Sequence, residues 1–175
     1  EEPAGSCAEA HEFLFAPGVV THVRRGQGLE TRLETCVAPA HDSELRRLTI
    51  TNTGKQPRSL DVTSWADVVL NHAAADAAHP AFSKLFVQTE WAGPDSALLA
   101  RRRPRANAET HPWLAHLLLE PGETTFESDR VRFVGRGGSP ARPEAMTRAG
   151  ALTGSAGNVL DPVVSLRRAV RLGAG

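Results

Sequence analysis

In three segments between Leu29 and Leu70 the chain alternates with a period of two, the period of strands with one buried face. Leu29, Thr31, Leu33, Thr35 and Val37 share one side of an extended chain, with Arg32 and Glu34 on the other. Leu48 and Ile50 alternate with Thr49 and Thr51. Beyond the turn signal Asn52-Thr53-Gly54-Lys55, Leu60, Val62, Ser64, Ala66, Val68 and Leu70 alternate with Asp61, Thr63, Trp65 and Asp67. The pattern predicts a hairpin pairing 45–52 with 58–70. Further strands are expected at 18–24, 84–91, 97–102, 113–120 and 163–172, the last bulging or ending near Arg168. Helical signals reduce to turns at 76–83 and 128–135, and 135–157 reads as a long surface loop. The fold class is therefore all-β, a large antiparallel sandwich or barrel. A tail over 1–10 followed by a single domain over 11–175 is the expected organisation.

Composition narrows the function classes. Lys and Arg number 20 and Asp and Glu also 20, so no net field recruits nucleic acid or anionic lipid. No apolar run approaches the roughly 20 residues of a membrane helix, so direct membrane insertion is not expected and a soluble domain is. The acidic opening EEPAGSCAEA has no signal pattern and no initiator Met, which suggests a piece of something longer. Cys7 and Cys36 are too few for a disulfide framework.

Each residue group that could carry chemistry also has a plain structural role open to it. None of His11, His22, His41, His72, His79, His111 or His116 lies in a zinc or metalloprotease spacing, so no metal site is expected. Asp61 and Asp67 are six strand residues apart, roughly 20 Å at about 3.3 Å each, too far for a glycosidase pair. They read as a solvated face. Arg101, Arg102, Arg103 and Arg105 lack interleaved aromatics and read as a solvated strand end or a salt-bridged contact. Gly135-Arg136-Gly137-Gly138 lacks the phosphate-loop pattern and reads as a flexible loop. Trp65, Trp91 and Trp113 could stack on sugar, with packing against the sheet as the favoured alternative.

Five segments taken in order carry a resemblance: LRRLTITNTGKQPRSLDVTSWADVVL, AADAAHPAFSKLFVQTEW, ALLARRRPR, FESDRVRFVGRGGSP and GNVLDPVVSLRRAVRLGAG. The earlier stretch HEFLFAPGVVTHVRRGQGLETRLETCVAP extends it over nearly the whole chain. Together they resemble the β-sandwich domain of the cyclic β-1,2-glucan synthases, related to that of glycoside hydrolase family 94 phosphorylases such as cellobiose phosphorylase. The resemblance implies a supersandwich of two large antiparallel sheets, similar to galactose mutarotase, preceding an (α/α)6 catalytic barrel. Nothing here matches that barrel, so it implies no catalytic residue and no cofactor in this chain, which alone is expected to be inactive. The chain is short for a complete sandwich of this kind, so missing early strands are expected. The implied partners are the barrel of the same parent chain, a second copy in a homodimer, and a β-glucan oligosaccharide. The implied parent works on the cytoplasmic side of the bacterial inner membrane. On this resemblance, Asp76, His79, Pro80, Phe82 and Lys84 are expected at a domain or subunit contact, with Asp129, Arg130, Phe133 and Arg136 in the same role. A stand-alone carbohydrate-binding module is the alternative.

Overall fold

The computed structural model describes residues 10–104 and 112–175. Cys7, Arg105 and His111, singled out above, and all but the last residue of the 1–10 tail lie outside the described residues. The described chain forms ten strands and three short α-helices, grouped in two compact units.

The first unit holds 10–60 and 170–175. Its sheet is an antiparallel meander of β1 (Ala10–Ala16), β2 (Val19–Gly26), β3 (Leu29–Val37) and β4 (Glu44–Asn52). The connections are set locally. Pro17 and Gly18 close β1 onto β2, with Gly18 at φ 77°. Gln27 and Gly28 close β2 onto β3, both at positive φ (53° and 72°), the conformation of a tight primed hairpin turn. The register separates two faces. Glu34 on one face is paired by Arg47 at 2.7 Å, and Arg25 by Glu30 at 2.6 Å. The other face sets Phe13, His22, Leu33 and Leu48 in one row, and Phe13, Phe15, Val20 and Leu48 there are exposed.

The expected hairpin of 45–52 with 58–70 does not form. β4 pairs with β3, whereas β5 (Arg58–Asp67) lies beside β10 (Pro162–Leu172). The turn explains this. Asn52 is buried, and its Nδ2 donates to the carbonyls of Gln56 at 2.8 Å and Gly173 at 2.6 Å. Its Oδ1 accepts from Gly54 N–H at 3.1 Å. The turn is therefore clasped to the end of the chain instead of folding β5 back along β4.

The second unit, Asp61–Ala169, is a two-layer sandwich. One layer is β5-β10-β9, with β9 at Thr125–Asp129; the other is β6 (Val87–Ala92), β7 (Ala97–Arg102) and β8 (Trp113–Leu117). Val164 and Leu166 of the first layer, with Val68 just after β5, meet Val87, Leu98 and Ala100 from the second in one buried cluster. Trp91 and Phe126 stack at its margin, 4.4 Å between centroids. Antiparallel sheets packed this way are the expected all-β sandwich. Between β5 and β6 run α1 (Ala73–Ala78) and α2 (Pro80–Lys84); α3 (Arg130–Val134) follows β9. Strand 84–91 thus starts later than expected, because Pro80 opens a helical turn that ends at Lys84. The register irregularity in β10 falls between Pro162 and Ser165, not at Arg168. Arg168 instead turns its guanidinium onto the Glu120 and Gly122 carbonyls and Thr124 Oγ1.

The 135–157 segment covers the outer face of β5. Asp61 accepts from Gly150 N–H at 3.0 Å, and Trp65 packs with Phe133, Val134, Ala145 and Leu152. No helix among the described residues is long and apolar enough to cross a membrane.

Candidate functional site

Two segments expected to form a contact surface, 76–84 and 129–136, meet in the second unit at an acid that no sequence motif marks. Asp161 precedes β10, and its carboxylate is shared. Lys84 Nζ, at the end of α2, lies 2.6 Å from Oδ1, and Arg130 Nε, at the start of α3, lies 3.7 Å from Oδ2. Arg130 N–H also donates to the Asp161 carbonyl at 2.9 Å. The other arm of the Arg130 guanidinium pairs with Asp67 of β5. Its central carbon stands 5.5 Å from the Trp65 ring centroid, and Trp65 in turn stacks on Phe133 at 6.1 Å. Asp67 is exposed but ion-paired, and the face it shares with Asp61 and Trp65 is covered by the 135–157 segment rather than open to solvent as expected.

Local sequence sets each helix end. Asp129 caps α3, its Oδ1 accepting from Val131 N–H at 2.8 Å. Gly135 ends that helix at φ 91°, and a Cβ there would lie 2.8 Å from Glu144 Oε2. His79 joins α1 to α2: its N–H donates to Ala75 O at 3.3 Å, and its carbonyl accepts from Ser83 N–H at 2.9 Å. Ser83 anchors α2 from beneath. It is buried, its Oγ accepts from Asn71 Nδ2 at 2.8 Å, and its carbonyl accepts from Arg102 Nη1 at 2.8 Å.

The remaining expected residues sit around this core. Phe82 is exposed and meets Phe86 edge-on at 5.2 Å. His79, Pro80 and Arg136 are exposed, Phe133 is buried, and Asp76 has one carboxylate oxygen shut from solvent without a hydrogen-bond partner. The three tryptophans do not share a stacking partner. Trp65 is on Phe133 and Trp91 on Phe126, while Trp113 is 53% exposed and lies against Arg101, 5.4 Å from guanidinium carbon to ring centroid.

Buried charge elsewhere in the unit is structural. Glu127 Oε1 accepts from the N–H groups of Ser128 (2.9 Å) and Asp129 (2.8 Å). Arg167 Nε donates to Thr63 Oγ1 at 2.8 Å, and its other arms hold the Ala145, Arg148 and Gly150 carbonyls. Burial pushes the Arg167 guanidinium below its ordinary pKa, with Asp61 pulling the other way. Among the described residues no group of three or more His, Cys, Asp or Glu is placed to hold a metal.

The family model described as the glycosyl hydrolase 94 supersandwich domain matches residues 1–175. The chain belongs to the glycosyl hydrolase 94 supersandwich family. A curated relative, the cyclic beta-(1,2)-glucan synthase NdvB of Rhizobium meliloti (strain 1021), is 36% identical over 178 residues. That alignment covers 99% of this chain and 6% of the relative, so this supersandwich spans a small fraction of the protein it matches. Asp161 and Ser83 are the site residues that sequence reasoning missed. Asp161 falls in the quoted GNVLDPVVSLRRAVRLGAG segment, but a single acid before Pro carries no spacing signal.

Proposed function

We propose that this chain is the non-catalytic sandwich portion of a cyclic β-1,2-glucan synthase-like enzyme, and that it docks on the catalytic barrel of the same parent through the surface bearing α2 and α3. The observation that carries the reading is the sharing of Asp161 by Lys84 and Arg130, which fixes the two helices to one base. Apolar groups stand exposed beside those ion pairs: Phe82 on α2, Val131 on α3 and Leu160 next to Asp161. Helices locked from below, with apolar side chains held outward, suit a preorganised contact that loses little entropy on binding. The parent would build β-1,2-linked glucan at the inner membrane, and this portion would support the barrel without supplying a reacting group.

The test is to titrate the chain with the separately produced barrel. Phe82→Glu and Leu160→Glu should each weaken association by at least about tenfold, because a charge in an apolar contact is left unpaired. The urea midpoint of Leu160→Glu should match that of the unsubstituted chain, and Phe82→Glu, which also gives up the edge-on contact with Phe86, should lose no more than about 1.5 kcal/mol. Substitutions that only unfold the sandwich, or leave association intact, would end the docking reading. The exposure of Trp113 favours a second property of the same portion, contact with glucan.

A further inference from the structure

We propose that the outer face of the β6-β7-β8 sheet is a binding strip for a neutral glucan chain, centred on Trp113, Arg101 and Gln88. The glucan identity rests on the reading just given; the strip itself rests on register and exposure. Thr89, Trp91, Leu98 and Ala100 point to the core, so alternation sends Gln88, Glu90, Leu99, Arg101 and Trp113 to the opposite face. Gln88 pairs in register with Arg101, and Arg101 with Trp113. These three form one row straight across the sheet, about 10 Å long at a strand spacing of about 5 Å. Beyond the row, Gln88 Nε2 donates to Asn158 Oδ1 at 2.9 Å, which extends it with a second planar amide.

The residue types select the ligand. Trp113 offers a flat apolar ring that is 53% exposed, large for a side chain whose other two copies are stacked inside the fold. The C–H face of a pyranose ring is apolar and its rim carries hydroxyls, so it suits an indole flanked by guanidinium and amide groups. Arg101 is balanced on the same face by Glu90, so the strip carries no excess positive charge to attract polyanions. Guarding an exposed edge explains charges, but it does not explain an indole that stays 53% exposed on the edge strand β8 with Arg101 against its ring. A row of exposed side chains along one sheet face fits sugar units bound in succession along a chain.

The test is calorimetric titration of the 175-residue chain with linear β-1,2-glucan oligosaccharides, at low and high salt. Saturable binding is expected that survives high salt. Trp113→Ala should weaken it about tenfold, the value of one lost stacking contact, and Trp113→Phe should restore most of the affinity. Gln88→Ala should weaken it several-fold, and Phe82→Glu should leave it unchanged. No saturable heat from a folded sample would overturn the strip, as would full binding by Trp113→Ala or binding abolished by salt. Loss of barrel association with glucan binding retained defeats neither proposal in a Phe82 variant. Wild-type docking without glucan binding sinks the strip alone, and glucan binding without docking sinks the docking reading alone.

Discussion

Lys84 Nζ and Asp161 Oδ1 are 2.6 Å apart although 77 residues separate them in the chain. Both side chains are mostly withdrawn from water, at 18% and 33% exposure, so salt screens the pair less than a surface bridge. Asp161→Asn leaves Lys84 and Arg130 without their shared anion. It should cost about 1–3 kcal/mol of unfolding free energy in urea titration, the range for hydrogen bonds to charged groups. In a double-mutant cycle with Lys84→Met, a coupling energy of about 1 kcal/mol is expected. Additive effects would mean that the two residues do not act as a pair.

Arg167 is the most heavily bonded buried cation in the second unit. It is 4% exposed, and its contacts join β10 to Thr63 on β5 and to the 145–150 backbone. Arg167→Met would strand several of those carbonyls, so a loss of about 3 kcal/mol or more is expected. Arg167→Lys should recover less than half, because one ammonium cannot span the fork that a guanidinium fills. A full rescue by Lys would show that charge, not geometry, matters there.

How much could be read in advance follows from these residues. Leu29–Val37 was legible through its two-residue alternation, and Ala97–Arg102 through its short apolar run ALLA. Strand β9, TFESD, was not, because its centre buries Glu127 and Ser128 and satisfies the carboxylate with backbone N–H groups and Thr153. Polar burial of that kind leaves no hydrophobic period. The partner of β5 was hidden for another reason: it is decided by Asn52 reaching Gly173, a contact 121 residues apart. At the candidate site the two flanking segments were visible through resemblance, whereas the shared anion joining them is one acid without a motif.

In the first unit, His11 Nδ1 and His22 Nε2 are 3.2 Å apart, and Phe13 stacks on His22 at 4.2 Å. Burial, then the charges of His11 and Arg24, hold the His22 pKa below its ordinary 6.5. The folded state therefore favours neutral His22. Well above pH 6.5 both states are neutral and stability is unaffected. As pH falls through 6.5 the unfolded chain takes up the proton first, so stability declines until the lowered folded pKa is passed. The urea midpoint should fall between neutral pH and about pH 5, and His22→Gln should flatten that slope. A slope unchanged in His22→Gln would place the pH response elsewhere.

The Gly135-Arg136-Gly137-Gly138 run is a tight exit from α3, not a flexible loop. Gly138 N–H donates to Gly135 O at 3.1 Å, and a Cβ on Gly138 would come 2.4 Å from the Val134 carbonyl oxygen. That oxygen belongs to the backbone of the helix bearing Arg130, so it cannot swing aside as a side chain would. Gly137 differs: it sits at φ 72°, and a Cβ added there would meet nothing within 4 Å, so only its backbone preference resists substitution. Gly137→Ala should therefore cost about 1 kcal/mol, whereas Gly138→Ala should cost more than about 2 kcal/mol by displacing α3. Because α3 carries Arg130 and Val131, the Gly138 variant should also weaken barrel association, and Gly137→Ala should not. Urea unfolding and barrel titration of the two variants side by side check this. Equal effects would mean that the close approach to Val134 does not position the helix.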